Sequence, residues 1–259
     1  MIRLRTILWF LLLASALAWL VAYLPAAWVR PQLEARLRGG RLEGLSGTVW
    51  EGHADRLLAS NGGDLGQLDW QLSRRALLGD TQLSVDLHGA WGRLTAQMRK
   101  LEGKREEWSQ VHVDGDLAQL SARLAPNAAG LQGQLTIDNA RVVLQGRWPL
   151  ELDAVAQWSD ARLPGDQREL SLGNLQLRAN GAGGVVNATV KDDGDGPLQL
   201  AGRLALSPLG WKYDIKARPR EPDPALRDWL AGFGRLAADG SMHVERSGGL
   251  AAIMGKGNR

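Results

Sequence analysis

Apolar and polar side chains alternate with a period of two in several separate windows of the chain. Between residues 83 and 88 the order reads Leu-Ser-Val-Asp-Leu-His. The same spacing recurs at 94–98, 150–158, 175–177, 186–190, 198–206 and 211–215. Because successive side chains of a strand point to opposite faces of a sheet, this alternation predicts antiparallel strands with one buried face.

Turn-forming residues separate these windows and interrupt helical patterns along most of the chain. Glycine accounts for 32 of the 259 residues, and Gly, Pro, Asn and Asp cluster where the alternating windows end. No composition break divides residues 41–246 into two domains. The predicted fold class is therefore mainly β: one curved antiparallel sheet, arranged as a meander, with a half-barrel as the alternative.

Short helices are expected at both ends of this sheet. Residues 31–38, which Gly39 follows, are interpreted either as a separate short helix or as a continuation of the apolar segment before them. Asp223 is suited to cap a C-terminal helix that has apolar residues at i, i+3, i+4 and i+7 from Leu226 and ends at Gly234. A last strand is expected at 242–245, and residues 247–259 are expected to form a flexible tail.

Residues 7–29 contain no charged side chain, and Arg3 and Arg5 precede them. As a helix this run reaches ~34 Å, which exceeds a hydrocarbon core of roughly 30 Å. It predicts a single transmembrane anchor, with residues 1–6 as a cytoplasmic stub and 30–246 as an external β-rich domain. The alternative is a signal peptide, for which the small residues at 14–16 offer a cleavage site.

The orientation of this anchor follows from its position in the chain. Arg30, Arg36, Arg38 and Arg41 come soon after the run, so the distribution of basic residues alone does not favour an N-terminus inside the cytoplasm. A first apolar segment near the start of a chain behaves as a signal-anchor, and long domains are translocated largely regardless of their charge. We therefore expect the C-terminal domain outside the cytoplasm.

The charge balance and the absence of cysteine exclude several classes of function. Without Arg3 and Arg5 the 31 basic residues become 29, against 28 acidic ones, and such a balance disfavours nucleic acid as a partner. A chain without Cys has no disulfide, thiolate metal ligand or cysteine nucleophile. No Gly-Lys-Ser or Gly-Lys-Thr phosphate loop occurs, and 181–184 match only half of a dinucleotide fingerprint.

Residues that could carry chemistry are scattered along the sequence. Each of His53, His88, His112 and His243 is predicted to be an exposed strand residue, because none has a partner at metal-ligand spacing. The aspartates within 192–195 indicate a hairpin turn, with a calcium loop as the alternative. We therefore predict no catalytic residue, no metal, no cofactor and no enzyme activity.

Tryptophan is abundant, with eleven residues in the chain. Eight of them lie beyond the apolar run, namely Trp50, Trp70, Trp91, Trp108, Trp148, Trp158, Trp211 and Trp229. Each side chain either fills the core of a pleated sheet or belongs to an exposed aromatic surface that binds protein or lipid. The sequence leaves this choice open.

Several segments resemble, in order, those of the protein N family of type II secretion systems, also called general secretion pathway protein N. Residues 46–54 read Ser-Gly-Thr-Val-Trp-Glu-Gly-His-Ala and are similar to the signature segment of that family. Residues 68–72 with 76–79 resemble a second block, and 158–162, 196–200 and 217–220 resemble later ones. The likeness extends from the apolar run to about residue 240.

The resemblance implies a single-pass inner-membrane protein of Gram-negative bacteria with its C-terminal domain in the periplasm. It implies an accessory role in the export of folded proteins through an outer-membrane secretin. Because the chain combines an anchor and the ordered segments with no catalytic cluster, we expect a scaffold or assembly role, with the inner-membrane platform or the secretin as partner. The alternative function is a groove that binds or conducts lipid.

The signature segment supplies the candidate contact residues for a partner. Gly47 and Gly52 are expected to permit a tight turn or a close strand approach, with Thr48, Val49 and Trp50 as the strand between them. Two interpretations stay open, a core strand with a bulge and a docking surface. The candidate contact residues are Gly47, Thr48, Val49, Trp50, Gly52 and Trp70.

Overall fold

The computed structural model describes residues 21–37, 39–124, 130–165 and 169–249, together with Leu12, Ser15 and Trp19. These residues form one antiparallel sheet of 13 strands, whose spatial order is the same as their order in the chain. The predicted meander is confirmed, and the sheet is open because β1 and β13 are its two edges.

The strands are connected mostly by short turns, as expected where each strand pairs with the one before it. Their bounds are β1 (Arg41–Gly47), β2 (Glu51–Leu58), β3 (Gln67–Leu72), β4 (Gln82–Gly89), β5 (Gly92–Lys100), β6 (Arg105–Asp116), β7 (Gln132–Gln145), β8 (Trp148–Leu163), β9 (Leu170–Ala182), β10 (Val185–Asp192), β11 (Leu198–Ser207), β12 (Gly210–Pro219) and β13 (Met242–Gly249). Within the described residues, named α-helices lie at α1 (Arg30–Arg36), α2 (Leu117–Leu124) and α3 (Pro224–Ala231). Three 3₁₀ turns lie at Ala26–Val29, Arg74–Leu78 and Glu102–Lys104.

One face of this sheet is apolar from β3 to β13, because the alternating windows stay in phase across the register. Neighbouring strands place apolar partners opposite one another, namely Leu83 with Met98, Val113 with Ile137, Trp158 with Leu175, Ala179 with Ala188 and Leu204 with Tyr213. Strands that share one buried face in this way stabilise each other through cross-strand side-chain contacts.

Helices cover this apolar face near its two ends. Helix α1 and the turn before it pack on an N-terminal cluster that contains Leu42, Leu57 and Trp70. Helix α3 places Leu226 and Leu230 in a C-terminal cluster with strands β8, β9, β11, β12 and β13. Outside these two clusters the face keeps exposed apolar side chains, among them Leu177, Leu204 and Trp211.

Helix α3 confirms the C-terminal helix expected from the sequence. The Asp223 carboxylate accepts hydrogen bonds from the backbone N–H groups of Ala225 (3.0 Å) and Leu226 (3.3 Å), which satisfies donors at the start of the helix. The helix ends at Ala231, before the expected Gly234. Strand β13 extends to Gly249, beyond the expected 242–245.

The predicted anchor at 7–29 lies mainly outside the described residues. No helix within the described part of the chain is long and apolar enough to cross a membrane. Residues 24–29 leave the helical path, since Pro25 forms a β-bridge with Thr48 and Ala26–Val29 is a 3₁₀ turn. The anchor and its bounds at 7–29 stay a prediction.

Candidate functional site

The candidate contact residues of the two sequence blocks come together around the turn between β1 and β2. Gly47 and Gly52 are register partners at the turn end of this hairpin. Thr48, Val49 and Trp50 form the connection between the strands, so the expectation that they form a strand is wrong. Gly47 has a φ of +77°, a left-handed conformation that favours glycine and here turns the chain out of β1.

This turn holds the segment that enters the sheet from the N-terminus. The indole Nε1 of Trp50 donates a hydrogen bond of 2.7 Å to the Val21 carbonyl oxygen. The backbone N–H of Val49 donates one of 2.9 Å to the Leu24 carbonyl oxygen. With the bridge between Pro25 and Thr48, these contacts fasten residues 21–25 to the hairpin.

Trp70 supports the turn from the neighbouring strand. A Cβ atom at Gly52 would lie 2.1 Å from a ring carbon of Trp70, so the indole occupies the space that a side chain there would need. The Trp70 Nε1 donates a 3.2 Å hydrogen bond to the Val49 carbonyl oxygen. The close approach expected at Gly52 is thus present, between its backbone and the Trp70 ring. It connects the segment 46–54 with the segment 68–72.

The two tryptophans of this cluster, which we call the hairpin clamp (Gly47–Gly52 with Trp70 and residues 21–25), are buried, whereas its turn and Tyr23 reach the surface. Trp50 is 8 % exposed and Trp70 9 %. The contacts described above connect parts of the same chain. No sequence pattern indicates Val21, Leu24 and Pro25 as partners, because their apolar character fits the membrane-anchor interpretation equally well.

A cleft of about 740 Å³ opens beside the clamp. Its wall includes Tyr23, Thr48, Gln71, Arg74 and Arg99. Since Glu51 and Glu107 belong to the same wall, side chains of both charges surround the place where the N-terminal segment meets the sheet.

On the polar face of the same strands, two of the histidines approach one aspartate. The His53 Nδ1 lies 2.7 Å from an Asp69 carboxylate oxygen, and His88 lies 4.0 Å from the other oxygen. The hydrogen bond to Asp69, with a smaller effect of Asp55, raises the pKa of His53. The expectation of four exposed histidines is wrong for His53 and His88, which are half-buried, and holds for His112 and His243.

The described residues contain no group of His, Asp and Glu that could hold a metal ion. At the Asp-rich segment, the connection between β10 and β11 is a hairpin turn, as predicted. Although burial by itself raises the pKa of Asp192, the hydrogen bonds from the Leu200 N–H and the Arg220 guanidinium lower it below its ordinary value. The buried Asp192 carboxylate thus holds the start of β11 and the segment after β12.

The tryptophans divide between the core and partly exposed positions. Trp50, Trp70 and Trp91 are buried, and Trp91 donates its indole N–H to the Leu65 carbonyl oxygen. Trp211 remains 39 % exposed on the apolar face, where its ring stacks on Tyr213 at 5.5 Å.

Fold and site together define a class of protein: a single long antiparallel sheet fastened by its first hairpin to an N-terminal apolar segment. Comparison with family models agrees with this description. The model of the type II secretion system (T2SS), protein N, matches residues 21–245, and the chain belongs to that family. No curated protein and no solved structure matched the chain.

Membership makes the chain a component of type II secretion, a protein-transport system of the bacterial cell envelope. The matched range begins at Val21, which is the first residue held by the hairpin clamp. The clamp and nearly all of the sheet therefore lie within the region that defines the family.

Proposed function

We propose that this chain is an accessory scaffold of the type II secretion machinery, anchored in the inner membrane with its sheet in the periplasm. Family membership supports the secretion role. The charge-free run before residue 30 supports the anchor. A sheet of 13 strands offers long surfaces for neighbouring subunits, and the inner-membrane platform and the secretin are the proposed partners.

The observation that carries this proposal is the hairpin clamp. A scaffold must hold its interaction surfaces at a defined distance and angle from its anchor. Three backbone or indole contacts fix residues 21–25 on the first hairpin, so the N-terminal segment has a set direction relative to β1 and β2. In this proposal the candidate contact residues act by positioning the sheet, and Gly47 at the surface of the turn is open to a partner.

The direct test is a deletion strain complemented with clamp variants. Export of secreted proteins into the medium and co-purification of other secretion components are measured for the wild type, Trp50→Phe and Trp91→Phe. Both tryptophans are buried and donate an indole N–H to a carbonyl oxygen at 2.7 Å, but only Trp50 belongs to the clamp. The proposal expects reduced export for the deletion and for Trp50→Phe.

Normal export after deletion, together with no co-purifying secretion component, would contradict the scaffold role. Equal losses for Trp50→Phe and Trp91→Phe would show that general stability, and not the clamp, limits export.

A second candidate function, a lipid-binding or lipid-conducting groove, is favoured by the uncovered part of the apolar face. Leu177 is 43 % exposed, Leu204 40 % and Trp211 39 %. Small residues lie between them, since Ala179 and Ala188 are register partners on the same face. Acyl chains suit an exposed apolar surface because they gain apolar contact there without needing hydrogen bonds.

Lipid identified by mass spectrometry after purification in mild detergent would support the groove. Leu177→Asp with Leu204→Asp should abolish that lipid, whereas Leu209→Asp should not, because Leu209 is exposed in the turn between β11 and β12. Export that survives loss of the lipid would assign the lipid a role apart from scaffolding.

A further inference from the structure

The turn between β3 and β4 displays two apolar side chains at its tip. Leu78 is 88 % exposed, the largest value for a large apolar side chain in the described part of the chain, and Leu77 is 62 % exposed. Single exposed leucines are ordinary on protein surfaces, whereas neighbouring exposed apolar side chains form a patch, and such patches mark interaction sites.

The conformation of this turn is held from both ends. The Ser73 hydroxyl accepts a hydrogen bond from the Arg75 N–H at 3.2 Å. Gly79, with a φ of +93°, ends the turn, and its N–H donates to the Ala76 carbonyl oxygen at 3.1 Å. The backbone therefore presents Leu77 and Leu78 outward in a defined conformation.

Two arginine side chains without a carboxylate partner lie in the same turn as the leucines. Arg74 and Arg75 form no ion pair with any part of the chain that the structure describes. The nearby Asp80 carboxylate accepts hydrogen bonds from the Gln82 amide, and Glu107 pairs with Arg141. Exposed leucines next to free guanidinium groups suit the boundary between acyl chains and anionic headgroups, where apolar side chains insert and cations meet phosphate.

The turn lies at the same end of the strands as the N-terminal segment. Arg74 and Ser73 line one cleft with Tyr23 and Thr48. Tyr23 is 59 % exposed and Trp19 is 66 % exposed, with their rings 5.3 Å apart. Exposed Trp and Tyr side chains favour the membrane–water interface, so this end of the sheet carries the aromatic, basic and apolar groups that a bilayer surface binds.

We propose that the 3₁₀ turn Arg74–Leu78 is a membrane-contact element, in which Leu77 and Leu78 insert into the interface of a bilayer containing anionic lipid while Arg74 and Arg75 bind its phosphates. A contact at this turn, in addition to the N-terminal segment, fixes the rotation of the sheet relative to the bilayer. The inference goes beyond the scaffold function, and it rests on the proposed location of the chain at a membrane.

The test uses the full chain in lipid vesicles and benefits from the absence of native cysteine. Leu78→Cys is labelled with an environment-sensitive fluorophore, and its emission is measured in phosphatidylcholine–phosphatidylglycerol vesicles that contain lipid with a shallow nitroxide group. The expected result is a blue-shifted emission that the nitroxide quenches at least about two-fold, as for an interfacial side chain. The matched control is labelled Leu124→Cys, because Leu124 is also an exposed leucine (50 %) but ends α2 at the opposite end of the strands.

A second comparison separates headgroup attraction from apolar insertion. The combined variant Arg74→Gln with Arg75→Gln should reduce quenching at position 78 in vesicles with anionic lipid and change it little in pure phosphatidylcholine. Both arginines lie in an exposed turn, so the thermal unfolding midpoint should remain that of the parent.

Emission and quenching at position 78 equal to those at position 124 would overturn the proposal. A label at 78 that is shielded only when other secretion components are added would also overturn it, in favour of a protein contact. Because vesicle binding is measured on the isolated chain, failure of this test leaves the export and co-purification tests of the scaffold role unaffected.

Discussion

The indole Nε1 of Trp50 lies 2.7 Å from the carbonyl oxygen of Val21, a residue 29 positions earlier in the chain. This hydrogen bond connects the first hairpin of the sheet to the segment that arrives from the N-terminus. Together with the Val49–Leu24 hydrogen bond and the Pro25–Thr48 bridge, it makes the hairpin clamp a fixed joint.

Replacing Trp50 by Phe should weaken the attachment of residues 21–25 to the first hairpin. The ring remains apolar, but the Val21 carbonyl loses its donor, and the cost is about 1–3 kcal/mol of unfolding free energy when a buried acceptor is left unpaired. Hydrogen exchange of the Val49 amide, which donates to Leu24, should accelerate. The matched variant Trp91→Phe loses a hydrogen bond of equal length to Leu65 and should leave Val49 exchange unchanged; equal acceleration in both variants would refute a local clamp.

Gly52→Ala should destabilise the sheet because the new methyl group would overlap the Trp70 ring, at 2.1 Å from a ring carbon. Overpacking of this kind typically costs about 1–3 kcal/mol. The clash should be partly relieved in Gly52→Ala with Trp70→Leu, so the two changes should be non-additive by at least about 0.5 kcal/mol in urea unfolding. Strictly additive losses would mean that the two residues do not compete for the same space.

The hydrogen bond between His53 and Asp69 should make stability depend on pH. Since it raises the pKa of His53, the folded state favours the protonated ring. The stabilisation is complete below the unfolded-state pKa of about 6.5 and is lost as pH rises through the higher folded-state value. The thermal midpoint of the wild type should therefore fall more between about pH 6 and pH 8 than that of His53→Gln.

His112→Gln is the control for this pH dependence. The His112 ring bonds to the Gln110 backbone carbonyl at 3.0 Å instead of to a carboxylate. This variant should retain the wild-type pH dependence, and a His53→Gln profile that also matches the wild type would contradict the assignment.

Asp223→Ala should weaken helix α3 and the C-terminal apolar cluster beneath it. The carboxylate caps the N–H groups of Ala225 and Leu226, and loss of such a cap costs about 0.5–2 kcal/mol. Asp223→Asn retains an oxygen acceptor and should be nearly neutral. Urea unfolding of both variants checks this, and an equal loss in the two would indicate that charge matters more than the cap.

The strands that the sequence predicts best are those whose alternation is uninterrupted. β4 and β10 to β12 keep one apolar face in regular register. β6 and β7 contain register shifts, with positive φ at Gln110 and Asn139. Each irregularity moves the following side chains to the other face, which hides a period of two from sequence analysis.

The sequence indicated which residues belong to the candidate site but did not indicate the backbone conformation that they adopt. Gly52 was expected to allow a close approach, and Trp70 provides it. Thr48, Val49 and Trp50 have good strand propensity, yet Gly47 turns the chain before them, because local backbone conformation outweighs side-chain preference there. The contact between His53 and Asp69 depends on the register of β2 with β3, which no local pattern specifies.

The clamp is tested most directly by a disulfide across its β-bridge. Pro25 and Thr48 are bridge partners, and antiparallel partners lie about 4.5–5.5 Å apart between Cα atoms, within disulfide reach. In the otherwise cysteine-free chain, Pro25→Cys with Thr48→Cys should oxidise almost completely, whereas Pro25→Cys with Asn61→Cys, at the opposite end of β2, should stay reduced. Mass spectrometry of both variants under non-reducing conditions gives the answer: a cross-link in the 25–48 pair alone is the predicted result, and a reduced 25–48 pair would contradict the account.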